Sequence, residues 1–306
     1  MQRRMLLAAT LALPAIRTAA AQSALPVVAS FSILGDMVRQ VAGERPLALS
    51  VLVGPDGDAH DFQPRPSDAE GLRAAALLVR NGLGYDDWLN RLVGAAGFRG
   101  VGTTAAEGAA TRAAGAGGHA HGGRNGASRA PDPHAWGDPR NGRIYARNIA
   151  AGLAAADPGN AALYARNAEA FSARLAALDA EVRAAVGTVP EARRRVITSH
   201  DAFGYYGDAY GITFLAPQGM STHSEASASG VARLIRQVRA EGITAVFLEN
   251  MAEGTTLERL SREAGVRVRG RLYSDALSPP GGPAATYETL IRHNTDLLVP
   301  AMRGEG

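Results

Sequence analysis

The chemistry this chain can do rests on three histidines and one aspartate, His60, His134, His200 and Asp275. Each stands just beyond a strand-like apolar run or at the start of a helix-like one, and each half of the chain supplies two of them. Imidazole is a borderline donor and carboxylate a hard one, so this set makes a four-coordinate shell suited to zinc, whereas manganese favours more oxygen. When protein fills every position, no place is left for a catalytic water, which points to carriage of an ion rather than hydrolysis. The competing reading, a secreted metallohydrolase, needs an open position and a general base, and no His-Glu-x-x-His pair occurs. The chain has no cysteine, which removes thiolate sites and disulfides from consideration.

The elements around these residues explain how they are held. In Asp132-Pro133-His134-Ala135-Trp136-Gly137-Asp138-Pro139-Arg140-Asn141, two prolines push their predecessors toward extended geometry, so His134 sits in a stiff corner. A rigid corner favours metal binding because little entropy is lost when the ion arrives. Asp138 is a cap and Pro139 a first-turn residue for a helix running to Ala156, with Ile144, Ile149 and Leu153 inward. His60 lies in the turn-rich Gly54 to Pro64 loop after the strand Leu47 to Val53, and His200 follows the strand Arg195 to Ser199. Asp275 follows the strand Val266 to Leu272. Further strands at Val27 to Phe31, Ala76 to Arg80, Ile212 to Leu215 and Ala245 to Glu249 alternate with helical patterns. The fold class expected is therefore α/β, with two lobes, each a mainly parallel sheet flanked by helices, and the ion in the cleft between them. A long period of apolar residues, Leu163, Ala170, Phe171, Leu175, Leu178 and Val182, predicts one long rigid helix joining the lobes, too stiff for large hinge closure.

Four segments follow. Residues 1–21, with Arg3 and Arg4 before an apolar run too short to span a bilayer, read as a signal peptide cut after Ala21, for general or twin-arginine export. Residues 22–157 form the first lobe, 158–190 the linking helix and 191–306 the second lobe. Within the first lobe, 105–130 is rich in Gly and Ala and reads as a flexible Gly/His loop. A net charge of +3 does not signal nucleic acid, because the basic residues, all arginine, are scattered among acids rather than clustered with aromatics. The address expected is the periplasm, with no lipid anchor.

Five stretches together resemble one family, the periplasmic solute-binding proteins of zinc and manganese ABC importers, ZnuA-like and TroA-like. They are Asp58-Ala59-His60 with Pro64-Arg65-Pro66-Ser67-Asp68, Asn81-Gly82-Leu83-Gly84, the Asp132 to Pro139 stretch, Thr198-Ser199-His200-Asp201-Ala202-Phe203-Gly204-Tyr205, and Tyr273-Ser274-Asp275-Ala276-Leu277. The resemblance spans nearly all of the chain after the leader. It implies His60, His134, His200 and Asp275 as ligands of a transported ion and an inner-membrane ABC permease as partner, with a periplasmic metallochaperone as a second candidate partner and a monomer as the working state. The usual Asp-Pro-His at the first ligand is Asp-Ala-His here. His200 stands where manganese-preferring relatives commonly carry glutamate, which favours Zn2+, with Mn2+ as the alternative.

Other polar residues take lesser roles. His119 and His121 between glycines, and His223 and Glu225 in a loop beside the cleft, are candidates for accessory metal capture. Asp201, Glu249 and Asp138 are candidates to orient the ligand imidazoles, each with helix capping or arginine pairing as the alternative. His293 reads as a packing residue in the last helix. Asn81-Gly82-Leu83-Gly84 lacks the glycine spacing of a phosphate loop and reads as a strand-to-helix turn.

Overall fold

The structure, a computed structural model, describes residues 23–115, 130–219, 228–251 and 254–305. The leader and four accessory candidates, His119, His121, His223 and Glu225, lie outside the described residues. Two sheets repeat one plan. In the first, β1 (Leu25–Phe31), β2 (Leu47–Val53), β3 (Leu77–Arg80) and β4 (Val101–Thr104) are parallel in the order β2-β1-β3-β4. In the second, β5 (Arg195–Ile197), β6 (Thr213–Leu215), β7 (Ala245–Glu249) and β8 (Val268–Leu272) are parallel in the order β6-β5-β7-β8. Central β1 and β7 are almost wholly buried because helices cover both faces, whereas edge strand β2 alternates between partly buried and exposed positions. Strand order reverses between β1 and β3 and between β5 and β7, which opens a crevice beyond the carboxyl ends of each sheet. β4, Val101-Gly102-Thr103-Thr104, has too little apolar pattern to be predicted as a strand and pairs with β3 at the edge.

Helices α1 (Ser32–Ala42), α2 (Pro66–Ala74), α3 (Leu89–Ala96) and α4 (Pro139–Ala156) flank the first sheet; α6 (Gly204–Tyr210), α7 (Ala228–Glu241), α8 (Thr255–Ala264) and α9 (Tyr287–Arg303) flank the second. Between them in sequence runs α5 (Ala161–Gly187), about 40 Å long at the helical rise. α4 starts as its residues dictate: Asp138 accepts the Arg140 amide at 2.8 Å and Pro139 takes the first turn. Its buried stripe is Tyr145, Ile149 and Leu153, and Ile144 is only half-buried because Tyr145 fills the inward position. On α5 the stripe is likewise shifted, to Tyr164, Ala168, Phe171, Leu175, Leu178 and Val182, leaving Leu163 half-buried and Ala170 exposed.

That stripe packs on α1 and α4 at one end and on α9 toward the other. One apolar cluster therefore runs from Phe31 and Met37 through Phe171 to Tyr206 and Tyr287, so the two lobes share a core. Separate clusters seal the outer faces, Leu72 with Leu89 under α2 and α3, and Leu234 with Leu260 under α7 and α8.

Residues 105–115 correct the expectation of a flexible loop over 105–130. Ala105 and Ala106 are buried, Ala113 bridges antiparallel to Pro131, and the amides of Ala114 and Asp132 donate to the carbonyls of Ala130 and Arg112 at 3.1 and 2.9 Å. Small residues hid this order, since alanine can be buried without any apolar run to advertise it.

Gly152 marks the closest approach of α4 to the sheet, where an added Cβ would stand 2.1 Å from Thr103 Oγ1 and 3.0 Å from Thr103 Cβ. Gly152→Val should therefore cost about 1–3 kcal/mol of stability, read by urea denaturation, and no loss would contradict this packing.

Candidate metal centre

Two ligand candidates are held by the same local device. In Asp58-Ala59-His60, the Asp58 carboxylate accepts the His60 amide at 2.8 Å, and in Asp132-Pro133-His134 the Asp132 carboxylate accepts the His134 amide at 3.0 Å. Ala59 is fully buried, and its carbonyl accepts the Trp88 indole at 3.1 Å, which ties the His60 loop to the start of α3. Asp132 Oδ1 also lies 2.8 Å from His134 Nδ1. A carboxylate there can only accept, so Nδ1 carries a proton, and in the neutral ring it is Nε2 that offers its lone pair to the cleft. His200 follows β5, and its amide donates to Glu249 Oε1 at 2.9 Å. Glu249 Oε2 lies 2.7 Å from His200 Nδ1, close enough for strong attraction though bent away from hydrogen-bond alignment. Asp275 sits in the turn after β8, a turn stitched to the opposite lobe. Trp136 Nε1 donates to the Ser274 carbonyl, the Leu277 amide to Ser32 Oγ, and the Asp56 amide to the Leu277 carbonyl, each at 2.9 Å.

These pieces bring all four sequence-predicted residues together. One nitrogen or oxygen from each of His60, His134, His200 and Asp275 lies within 4.8 Å of every other. Asp275 Oδ2 is 3.1 Å from His60 Nε2 and 3.2 Å from His200 Nε2, and Asp275 Oδ1 is 3.6 Å from His134 Nε2. Tetrahedral zinc with bonds near 2.0–2.1 Å spaces its ligand atoms about 3.3 Å apart, so these separations bracket the requirement. His134 Nε2 and Asp275 Oδ1 are buried and find no hydrogen-bond partner, a costly arrangement for a site whose only purpose is folding. Phe31, Tyr85 and Trp136 wall the first-lobe side; the Tyr85 ring meets His60 edge-on at 4.8 Å and His134 at 6.0 Å.

Charge drives the site toward a cation. Burial opposes an imidazolium at His134, but Asp275 and Asp132 overcome it and push the group up to about 9. Burial likewise opposes charging of His200, and Glu249 and Asp275 raise it well above the ordinary histidine value. Burial alone would lift Asp275, yet the two neighbouring histidines hold it well below the usual carboxylate range. The pocket thus takes up positive charge in whatever form is offered.

Of the lesser candidates, Glu249 stands against a ligand ring, whereas Asp138 and Asp201 do not. Asp138 caps α4 and pairs with Arg140 at 2.8 Å, and Asp201 is half-buried and makes no hydrogen bond or ion pair to a ligand imidazole among the described residues. His293 packs edge-on against Tyr273 and meets the Arg271 carbonyl at 3.0 Å. Asn81-Gly82-Leu83-Gly84 forms a left-handed turn with φ of 86°, 57° and 85° at its last three residues. Its amides at Asn81 and Gly82 are taken by Asp86 at 2.6 and 3.0 Å, and the Asn81 amide group donates to the Pro133 carbonyl at 3.0 Å. The turn buttresses the His134 corner and presents Tyr85. Sequence reasoning missed Asp132 and Tyr85 as site residues, although the repeated Asp-x-His spacing signalled the first.

Comparison with known proteins places this geometry among metal receptors. The family described as zinc-uptake complex component A, periplasmic (ZnuA), matches residues 27–301. The manganese-binding lipoprotein MntA of Halalkalibacterium halodurans is 31% identical over 278 residues, covering 91% of this chain and 88% of MntA. The iron ABC transporter substrate-binding lipoprotein MtsA of Streptococcus pyogenes is 28% identical, covering 90% and 87%. The periplasmic zinc-binding protein TroA of Treponema pallidum superposes with a TM-score of 0.82 at 27% identity, covering 91% of this chain and 99% of TroA. MntA and MtsA are lipoproteins by name, which runs against the expectation of an unanchored chain, and the present sequence contains no cysteine. Among the described residues no helix is long and apolar enough to cross a membrane.

The raised His134 value has a consequence for the metal-free protein. Its folded value near 9 exceeds the unfolded 6.5, so the stability it contributes is fully present below pH 6.5 and is lost as pH rises through about 9. Asp275, depressed, contributes in the opposite sense: present above pH 3.8 and lost as pH falls through its lowered value. With chelator present, Tm should fall between pH 6.5 and 9.5, and a Tm that rises across that window would contradict the charge reading.

Proposed function

We infer the function from one premise: the chain belongs to the ZnuA family of periplasmic zinc-uptake components. It is a metal-binding solute-binding protein of ABC import. The finer reading is that His60, His134, His200 and Asp275 hold one Zn2+ as cargo in the periplasm and deliver it to an inner-membrane permease. The observation that carries this is the mutual 4.8 Å approach of four donor groups from distant parts of the sequence. Three imidazoles and a carboxylate match zinc's preference, and a full protein shell suits holding an ion rather than activating water on it. Manganese is the second reading, favoured by the 31% identity to a manganese-binding lipoprotein.

Capture and release follow from the charges. An arriving ion must displace the protons that Asp132, Glu249 and Asp275 hold on His134 and His200, because only neutral imidazole binds. The ion then takes over the neutralisation of Asp275. Asp132 orients His134 and Glu249 stands behind His200, so their Nε2 atoms meet the ion without rearrangement. Release at the permease needs only that one lobe's ligands part from the other's by a small displacement. Loading by a periplasmic metallochaperone is compatible with this route.

Protein purified without a tag should carry one zinc per chain, and equimolar zinc should displace manganese. His200→Ala should weaken zinc binding at least as much as the ~100-fold upper range for outer-shell losses. Unchanged affinity in this variant would remove His200 from the shell, and preference for manganese in the competition would select the second reading.

A further inference from the structure

We propose that Arg112 is a positioning residue for the bound ion, acting through Asp132 to fix His134; the inference rests on the metal-site reading above. Asp132 is fully buried and both of its carboxylate oxygens are used. Oδ1 serves the His134 amide and Nδ1, and Oδ2 accepts Arg112 Nη1 at 2.8 Å. A buried carboxylate with an oxygen left unpartnered would turn to find a donor, and turning would loosen the imidazole it orients. The guanidinium supplies that donor.

Arg112 is itself held rigidly from the other lobe. Its Nε donates to Asp208 on α6 at 2.9 Å, its amide donates to the Tyr205 hydroxyl at 3.2 Å, and that hydroxyl donates to the Asp132 carbonyl at 2.7 Å. Gly204, which opens α6, leaves the guanidinium its place, since a Cβ there would lie 1.7 Å from Nη1. A chain of contacts therefore runs from α6 through Arg112 and Asp132 to His134. His200 has no counterpart: among the described ion pairs, Glu249 has only His200.

The test measures zinc affinity by chelator competition, and the visible spectrum of the cobalt-loaded protein, for wild type, Arg112→Met, Arg112→Lys, Asp132→Asn and the Arg112→Met/Asp132→Asn double variant. Arg112→Met should still bind one zinc but about 10–100-fold more weakly, with a shifted cobalt spectrum. Arg112→Lys should recover most of the loss, and the double variant should be no weaker than Asp132→Asn alone, because both act through one carboxylate. Equal affinity of Arg112→Met and wild type, or losses that multiply in the double variant, would overturn the inference. If Arg112→Met does not fold, Arg112→Gln is compared in the wild-type and Asp132→Asn backgrounds: a loss confined to the former supports the proposal, and no loss in the wild-type background or equal losses in both overturn it. A wild type that binds no zinc would overturn the metal-site reading itself, whereas a wild type that binds one zinc beside an unaffected Arg112→Met would overturn this inference alone.

Discussion

A carboxylate with no exposure to water, set among three imidazoles, is the constraint on which this structure depends. Asp275 is fully buried, and an isolated ionised carboxylate in that position would cost several kcal/mol at least. The fold tolerates it because positive charge is always at hand, as protons on His134 and His200 or as a divalent ion in their place. Exchange between these two forms would leave the same four groups stable with a metal ion bound and without one.

The scaffold around that carboxylate is built to resist collapse in either form. The Asp275 turn belongs by sequence to the second sheet but hangs from the first lobe through Trp136, Ser32 and Asp56. Tyr287 at the head of α9 adds two more ties across the same boundary, its hydroxyl to the Trp136 carbonyl at 2.5 Å and its amide to Asp36 at 2.8 Å. With α5 packed along one continuous apolar core, the lobes are tied into one frame across the cleft. Stiffness here lowers the entropic cost of binding, because the donors are already close when the ion arrives.

Much of this was legible in the sequence, and the part that was not has physical reasons. The strands Leu47–Val53 and Ala245–Glu249 could be read to the residue, because apolar runs bounded by turn formers define them. The start of α4 followed from Asp138 and Pro139. The four donors stood out because His60, His200 and Asp275 follow a strand's carboxyl end, where open α/β sheets gather ligands, and His134 stands in a stiff corner before a helix. Which tyrosine or isoleucine faces inward on α4 was not readable, since Ile144 and Tyr145 are both large and apolar enough for the position. Asp132 was visible in its motif, but its grip on His134 Nδ1 depends on a turn geometry that one residue of spacing only suggests. Arg112 was hidden entirely, because it lies in a run of alanines and glycines whose order comes from backbone pairing with Pro131 and Asp132.

X-ray absorption at the zinc edge of the loaded protein reads whether distant residues close one shell around a cation and exclude solvent from it. A closed shell gives four light-atom ligands at about 2.0–2.1 Å with the multiple-scattering signature of three imidazoles, and that signature reduced to two in His134→Ala. A first shell dominated by water, or one with fewer than three imidazoles in the unaltered protein, would contradict it.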